Sequence, residues 1–501
     1  MKRFTRDNLL FFLKTQDSLS EQDVQRSVRM VTADGIFSSG MGTLQGGVFL
    51  SAFAISLGAS NYEIGLIATF TFLSQLIQIP GLLIVKALKL RRPIVMVCAA
   101  FSRVLWLFII LIPVIFVNAG VSFLLQWLII SMLVGAVAGP AWNSLLRDVL
   151  PGDSMGKIMS RRMMMSTGIA LVLTLAGGWF VDWWKAVNPS APLYAFSILF
   201  FVGLLFGIAG VLAITRIPEP KMQLPEGESL ISLFTGPVKD GNFRNMLVFS
   251  GIWTFAINLA VPFFIIYMLK RIGISLFMVT LLTVTSQLTN MMFLKIWGRI
   301  ADRFSNKSVF AVSGPLFLFV ILAWTFTTMP EKYFLTMPLL FVIHIFSGMA
   351  MAGFTLASGN MALKMSPKGQ AHSYMTVFGI VGALAGSMAP MLGGTIADFF
   401  SNRELSFAVN WTDPARELSV YALNFKALDF LFVFAFIVGL FAVNRLSKVK
   451  EEGEVNEKVV IDELKLGVTQ PLRHMTSVGG LRRMAYMPVS HFLKWKGKAD
   501  A

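Results

Sequence analysis

Long apolar runs separated by short polar stretches fill most of this chain. Twelve can be marked off, at approximately 31–57, 62–87, 93–117, 121–147, 160–183, 191–215, 244–269, 274–297, 309–329, 334–362, 372–398 and 424–445. A helix needs about 20 predominantly apolar residues to cross a bilayer core, and most of these runs reach that length. Backbone polar groups in lipid must be satisfied within the segment, so runs of this kind predict helices. The pattern therefore predicts an all-α polytopic membrane protein with twelve transmembrane helices.

The connections divide the chain further. The longest internal one, 216–243, is polar and carries Pro218, Pro220, Pro225 and Pro237, as a linker would. The expected divisions are an N-terminal segment (1–30), a six-helix bundle (31–215), the linker (216–243), a second six-helix bundle (244–446) and a tail (447–501). Ser20 and Asp23 are spaced as a capping box, which predicts a short helix ahead of the membrane. The two bundles repeat one another. Gly35-Ile36-Phe37 answers Gly251-Ile252-Trp253, Asn143 answers Asn360, Pro151 answers Pro367, and Gly177-Gly178 with Asp182 answers Gly393-Gly394 with Asp398. Each pair lies 216 or 217 residues apart. Ordered matches at one separation predict two pseudo-symmetric six-helix bundles.

Composition supports a chain bathed in lipid. It is 55% hydrophobic and 14% charged, with mean hydropathy +0.69, where a soluble domain carries about 25% charged residues. The net charge of +16 fits basic loops held against anionic lipid better than nucleic-acid binding. Alternate connections hold the Lys and Arg, among them Lys86, Arg91, Arg92, Arg147, Lys157, Arg216, Arg299 and Lys364. Lys270 and Arg271 are the clearest exceptions. Both termini are accordingly expected in the cytoplasm. Cys98 is the one cysteine, so no internal disulfide can form and no Cys/His metal cluster exists. The basic start, Met1-Lys2-Arg3, is followed by an apolar run too short for a signal-peptide core.

Between the eighth and ninth runs stands Gly298-Arg299-Ile300-Ala301-Asp302-Arg303, with Lys307 four residues on. The form G-R-x-A-D-R-x-x-x-K resembles the loop signature of the major facilitator superfamily of secondary transporters. Together with the repeat, the resemblance spans residues 30–446. It implies that helices 1, 4, 7 and 10 line a central cavity flanked by 2, 5, 8 and 11. It also implies that the signature loop latches the halves on the cytoplasmic side when the cavity faces outward. Asp302 would then meet the start of helix 5, where free N–H groups favour an anion and where Arg161 and Arg162 stand. Gly298, Arg299, Asp302, Arg303, Lys307, Arg161 and Arg162 are thus the expected gate. Its first-half counterpart starts at Gly81 but has Val85 at the acidic position, keeping only Arg91-Arg92. The run from Trp142 to Pro151, continuing to Arg161-Arg162, resembles a bacterial subgroup of the superfamily, a resemblance that implies a bacterial inner (plasma) membrane as the expected location. Gly386–Gly394 is similar to the antiporter signature of helix 5, but lies in helix 11 and has Ala389 in place of a glycine; close packing or a kink is the expectation there.

Polar residues at helical spacing mark the walls such a cavity would need. Helix 1 carries Asp34, Ser38, Met41 and Gln45 on one face, and helix 10 carries His344, Ser347, Met351, Thr355 and Ser358. Trp142 and Asn143, Trp253 with Thr254 and Asn258, Gln287 with Asn290, and Asn360 are further substrate-cavity candidates, as are Gln75 and Gln78. The alternative for each amide is an interhelical hydrogen bond, worth about 0.6 kcal/mol. A charge inside the bilayer costs about 2.5–3.5 kcal/mol, so Asp34, Arg103 and His344 are candidates for coupling. Asp34 could pair with Arg103, or end in cytoplasmic water; His344 could equally be a packing residue.

The expected function is secondary active transport of a small solute by alternating access, driven by protons, another coupling ion or the solute's own gradient. No nucleotide-binding loop and no nucleophile–base or metal cluster occurs, so neither enzyme nor cofactor is expected. The alternative is a non-transporting receptor or assembly subunit that keeps the fold. Expected partners are a small-molecule substrate and the bilayer, with anionic lipid at the basic loops and tail; the chain is expected to be a monomer. The tail's basic, aromatic end, from Arg473 to Lys498, reads either as a segment lying on lipid or as disordered chain. Asn410-Trp411-Thr412 matches a glycosylation sequon in an outer loop between the last two runs, a match common by chance.

Overall fold

The computed structural model describes residues 15–116, 119–222, 236–328, 331–367, 370–413 and 416–476, with side chains described outside 416–423 and 468–476. In the first half, α1 runs as Glu21–Gln45 and Gly47–Ser56, α2 as Asn61–Leu76 and Gln78–Leu88, then α3 Arg92–Ile110, α4 Gly120–Val149, α5 Met155–Val187 and α6 Tyr194–Thr215. In the second half, α7 is Gly241–Ala260, prolonged by tighter turns and a wide π-turn to Ile272. There follow α8 Leu276–Arg303, α9 Asn306–Ala323, α10 Thr336–Lys364, α11 Ala371–Phe400 and α12 Leu428–Leu446. A hairpin of β1 (Glu404–Asp413) and β2 (Arg416–Lys426) joins α11 to α12, and α13 (Glu457–Thr476) follows the bundle.

Eleven helices among the described residues are long and apolar enough to cross a membrane. The remaining apolar run is α1, which is interrupted: Gly46 ends its first piece and Gly47 takes φ +50°, which glycine adopts without a Cβ penalty. The chain is an integral, multi-pass membrane protein. Three expectations need correction. The capping box at Ser20–Asp23 opens no separate short helix; with no breaker before Gly46, the helix it starts continues as α1. The signature Gly298–Arg303 is not loop but the last turns of α8, and the chain turns only at Phe304. The link between α11 and α12 is not plain loop: Leu405, Phe407, Val409 and Trp411 alternate with period two, a strand pattern, and it pairs antiparallel with β2.

The halves have matching internal neighbours. In the first, α1 packs on α5 and α6, α4 on α2 and α3, and α3 on α6; in the second, α7 packs on α11 and α12, α10 on α8 and α9, and α9 on α12. Each half has its own aromatic core, Phe53–Phe196–Phe200–Trp106 in one and Trp253–Phe310–Phe354 in the other. One end of the bundle carries both ends of the described chain and is here termed the terminal end. There Gln16 bridges to Glu219 and Lys221, and Asn242 bonds to Lys450.

The same device closes each half at that end. Glu219, fully buried after α6, accepts from the backbone N–H of Arg91 (3.3 Å) and Arg92 (2.5 Å) at the start of α3, and pairs with the Arg91 guanidinium (3.2 Å). Arg91 also pairs with Asp148. Glu451, after α12, accepts from the Lys307 N–H (2.7 Å) and the Asn306 amide (2.8 Å) at the start of α9. In both halves a carboxylate past the sixth helix neutralises the N-terminus of the third, where four N–H groups lack helical partners. The stretch 217–221 of the expected linker is thus docked structure.

Candidate functional site

The halves meet along α2·α11 and α5·α8. On the first seam a Cβ at Gly65 would lie 2.2 Å from the Pro390 carbonyl oxygen, and one at Gly394 2.6 Å from Asn61 and Tyr62 backbone atoms. The Thr69 hydroxyl donates to the Ser387 carbonyl (2.8 Å). On the second, a Cβ at Gly178 would lie 2.3 Å from the Thr280 hydroxyl. Small residues are what let such backbones approach.

Two carboxylates lock the far end of these seams. At the end of α5, Asp182 accepts from the N–H of Leu276 (3.2 Å) and Phe277 (2.7 Å), the first residues of α8. At the end of α11, Asp398 accepts from the N–H of Asn61 (3.0 Å) and Tyr62 (2.9 Å), the first residues of α2. In each case the next N–H is taken by the helix's own cap, Ser275 for Met278 and Ser60 for Glu63. The two clasps are related by the repeat, and each joins one half to the other. Lys270 donates to the Ala59 carbonyl across the same end (2.9 Å), which accounts for one of the two basic residues that broke the charge alternation.

Toward the terminal end the seam parts. Contact between α2 and α11 extends from Asn61 to Phe72, about 17 Å of helix at 1.5 Å per residue. Beyond it lies a cavity of about 490 Å³ lined by Gln75, Gln78, Asn143, His372 and Thr376 among apolar neighbours from α2, α4 and α11. Both seams are clasped at the far end, and the α2·α11 seam gives way to the cavity toward the terminal end.

Several predicted residues come together on the first-half wall. Asp34 is buried and accepts from the Ser38 hydroxyl (2.9 Å) and the Arg162 guanidinium (3.3 Å); Arg162 also donates to the Val31 carbonyl (3.1 Å) and lies over Trp142. Asp34 therefore does not end in water. Its ion pair is with Arg162, and Arg103, the partner the sequence suggested, stands nearby with its Nε unbonded. Arg162, expected at the gate, instead faces α1, because depth along α5 does not fix which wall a side chain faces. His372 and Thr376 in the cavity were not foreseen, because they lie in the first turns of α11, where a polar residue reads as a helix end.

Others are packed within their own half. Gln45 donates to the Phe200 carbonyl (3.0 Å), Asn258 to Thr254 (2.8 Å) and Asn290 to Gly348 (3.3 Å). Trp253 is buried between Phe310 and Phe354. His344 is buried edge-on to Trp324, its Nδ1 2.8 Å from the Leu340 carbonyl oxygen. Gln287 and Ser358 are half-buried, and Thr355 and Asn360 exposed. The gate residues do not meet α5 in this conformation. Arg303 pairs with Glu463 (2.7 Å) and Lys307 with Glu454 (2.8 Å) of the tail, while Asp302 and Arg299 are exposed and Gly298 has open space around it. Arg161 lines a separate recess of about 740 Å³ between α1 and α5, with Arg29 and Lys157. The tail is thus docked through α13 on α8 and α9; its basic residues from Arg482 to Lys498 lie outside the described residues.

The family model for the Major Facilitator Superfamily matches residues 35–390 and again 247–455. No curated protein matches the chain. Among solved structures, the nucleoside transporter NupG aligns with TM-score 0.59 at 11% identity, over 86% of this chain and all (100%) of its own. The xylose transporter XylE from E. coli, in an inward open conformation, aligns with TM-score 0.59 at 13% identity, over 88% and 99%. A bacterial homolog of the human lysosomal transporter Spinster, inward-facing and unoccupied, aligns with TM-score 0.57 at 12% identity, over 91% and 99%. At such identities these likenesses speak to the fold alone. The matched family, which agrees with the doubled six-helix architecture, leads to one assignment: the chain belongs to the Major Facilitator Superfamily of membrane transporters.

Proposed function

We propose that this protein is a secondary transporter working by alternating access, held here in the state that opens to the cytoplasm. The observation that carries the reading is the pair of repeat-related clasps, Asp182 on α8 and Asp398 on α2, at one end of a seam that parts at the other. The excess of Lys and Arg at the terminal end favours the cytoplasm for that end, and two of the aligned structures are described as inward-facing or inward open.

The α5·α8 seam offers a switch. With the far end closed, Asp182 at the end of α5 serves the start of α8. With the terminal end closed, Asp302 at the end of α8 would serve the start of α5 by the same charge–dipole attraction. The α2·α11 seam has only the far-end carboxylate, since Val85 replaces the acid at the other end. Amides, a hydroxyl and an imidazole line the cavity between halves, which favours a neutral, polar small solute. The Asp34–Arg162 pair is the proposed coupling site, by protonation of Asp34 and release of Arg162.

The experiment is counterflow. A thermal-shift screen of the purified protein against nucleosides, sugars and small amphiphiles selects a solute, and proteoliposomes preloaded with it are given labelled solute outside. Transient accumulation of label is the expected result. A solute that stabilises the protein yet never exchanges would instead indicate a receptor.

A further inference from the structure

The β1–β2 hairpin does not line the cavity between the halves. It leaves α11 at Phe400 and returns into α12 at Leu428, at the far end of the bundle. Its root is anchored. Glu404 pairs with Lys426 (3.0 Å) and accepts from Asn424 (2.6 Å), and these partners hold its carboxyl below the ordinary carboxylate range. The Lys426 N–H donates to Asp429 (2.9 Å), which is bonded in turn by buried Tyr267 (2.9 Å).

Beyond the root, β1 is sharply two-faced. Leu405, Phe407, Val409 and Trp411 share one face and are 57–67% exposed. Their Cα partners on β2 are Phe425, Leu423, Val420 and Leu418, all apolar; the register shift after Phe407 leaves the β1 alternation intact. The opposite face of β1 carries Glu404, Ser406, Asn410 and Thr412, with the small Ala408 among them. A lone two-stranded hairpin is at best marginally stable in water, so an apolar face this long needs a cover.

What covers it is indicated at the root. Phe425 packs on Phe430 (ring centroids 6.3 Å), Phe430 stacks on Phe400 (4.3 Å), and Phe400 touches Phe434 (6.0 Å). From Phe430 the exposed stripe of α12 continues through Phe434, Ile437 and Phe441, at the spacing of one helix face. That stripe is perimeter and meets lipid. The apolar face of the hairpin is its direct extension past the helix end. Charges of both signs stand along the hairpin, giving no excess that would select a charged partner.

We infer that the hairpin lies on the membrane at the far end, its Leu405–Trp411 face seated in the lipid interface and Trp411 at headgroup level, where tryptophan concentrates. The partner is the lipid surface itself, including zwitterionic lipid.

The test is spin-label scanning of the full chain in phosphatidylcholine nanodiscs, in a Cys98→Ser background. Labels are placed singly at 405, 407, 409 and 411 and at 406, 410 and 412, and collision with oxygen is compared with collision with a water-soluble nickel complex. The expected result is a period of two, with a several-fold higher oxygen-to-nickel ratio at the odd positions. Equal nickel access on both faces would overturn the inference, placing the hairpin in water. Spin–spin broadening at the odd positions that disappears on dilution with unlabelled protein would also overturn it, in favour of a second copy as the cover. All seven labels replace exposed side chains, and the even positions report on the water side even if one odd variant fails to fold.

Discussion

Replacing Asp398 by asparagine isolates the far-end clasp with little change of shape. The carboxylate accepts two backbone N–H bonds from Asn61 and Tyr62 at the positive end of α2. A hydrogen bond to a charged group contributes about 1.5–3 kcal/mol net. Asp398 is only half-buried, and when the seam opens water replaces both partners, so the preference for the closed far end is smaller, about 1–2 kcal/mol. At about 1.4 kcal/mol per tenfold, Asp398→Asn should move the balance some five- to thirtyfold toward the far-end-open state. Asp182→Asn should do the same through α8, and the two shifts should add, since the seams share no partner. The assay is alkylation of a cysteine placed at Gln75, on the cavity wall, in a Cys98→Ser background, by an impermeant maleimide added to intact cells. In the parent the reagent is shut out at the far end; in each variant the labelling rate should rise by the stated factor. Labelling unchanged in both single variants and in the double would refute the idea that these carboxylates hold the far end shut.

Three further outcomes follow from the same geometry. Gly65→Ala puts a methyl 2.2 Å from the Pro390 carbonyl oxygen and should raise far-end labelling as loss of Asp398 does, whereas Gly42→Ala, with nothing within 4 Å, should not; equal behaviour of the two would contradict the close seam. Asp34→Asn should abolish accumulation driven by a proton gradient and spare counterflow exchange, and accumulation at the parental level would remove Asp34 from coupling. Glu219→Gln leaves the α3 terminus facing a neutral group in a buried site and Arg91 with Asp148 as its remaining carboxylate; breaking one side of a buried pair costs about 3–5 kcal/mol when no second partner remains, so a smaller loss is expected here, thermal unfolding should start below that of the parent, and an unmoved Tm would show the Glu219 contact to be dispensable.

The periods of the sequence carried most of the fold. Apolar length placed the helices, and the repeated Gly-Gly-x-x-x-Asp stretches marked Asp182 and Asp398 as equivalent. What those two residues do was not legible, because a carboxylate that caps a helix of the other half does so across more than ninety residues for one and more than three hundred for the other. Helical periodicity names a face but not the neighbour it meets. Asp34, Gln45 and His344 all sat on predicted cavity faces, yet Gln45 and His344 bond to carbonyls within their own half, and Asp34 pairs with Arg162. The hairpin had its signal in the alternation from Leu405 to Trp411, in the connection that the apolar runs leave between 398 and 424.

The most direct test of the central claim measures both ends of one molecule. Spin labels at Leu82 and Met375 flank the opening at the terminal end, and labels at Val187 and Phe277 flank the α5·α8 clasp. Double electron–electron resonance on each pair, without and with a solute that exchanges in counterflow, should show the first distance shortening as the second lengthens. Distances that stay fixed, or that change together in the same direction, would contradict a bundle that opens at one end only by closing at the other.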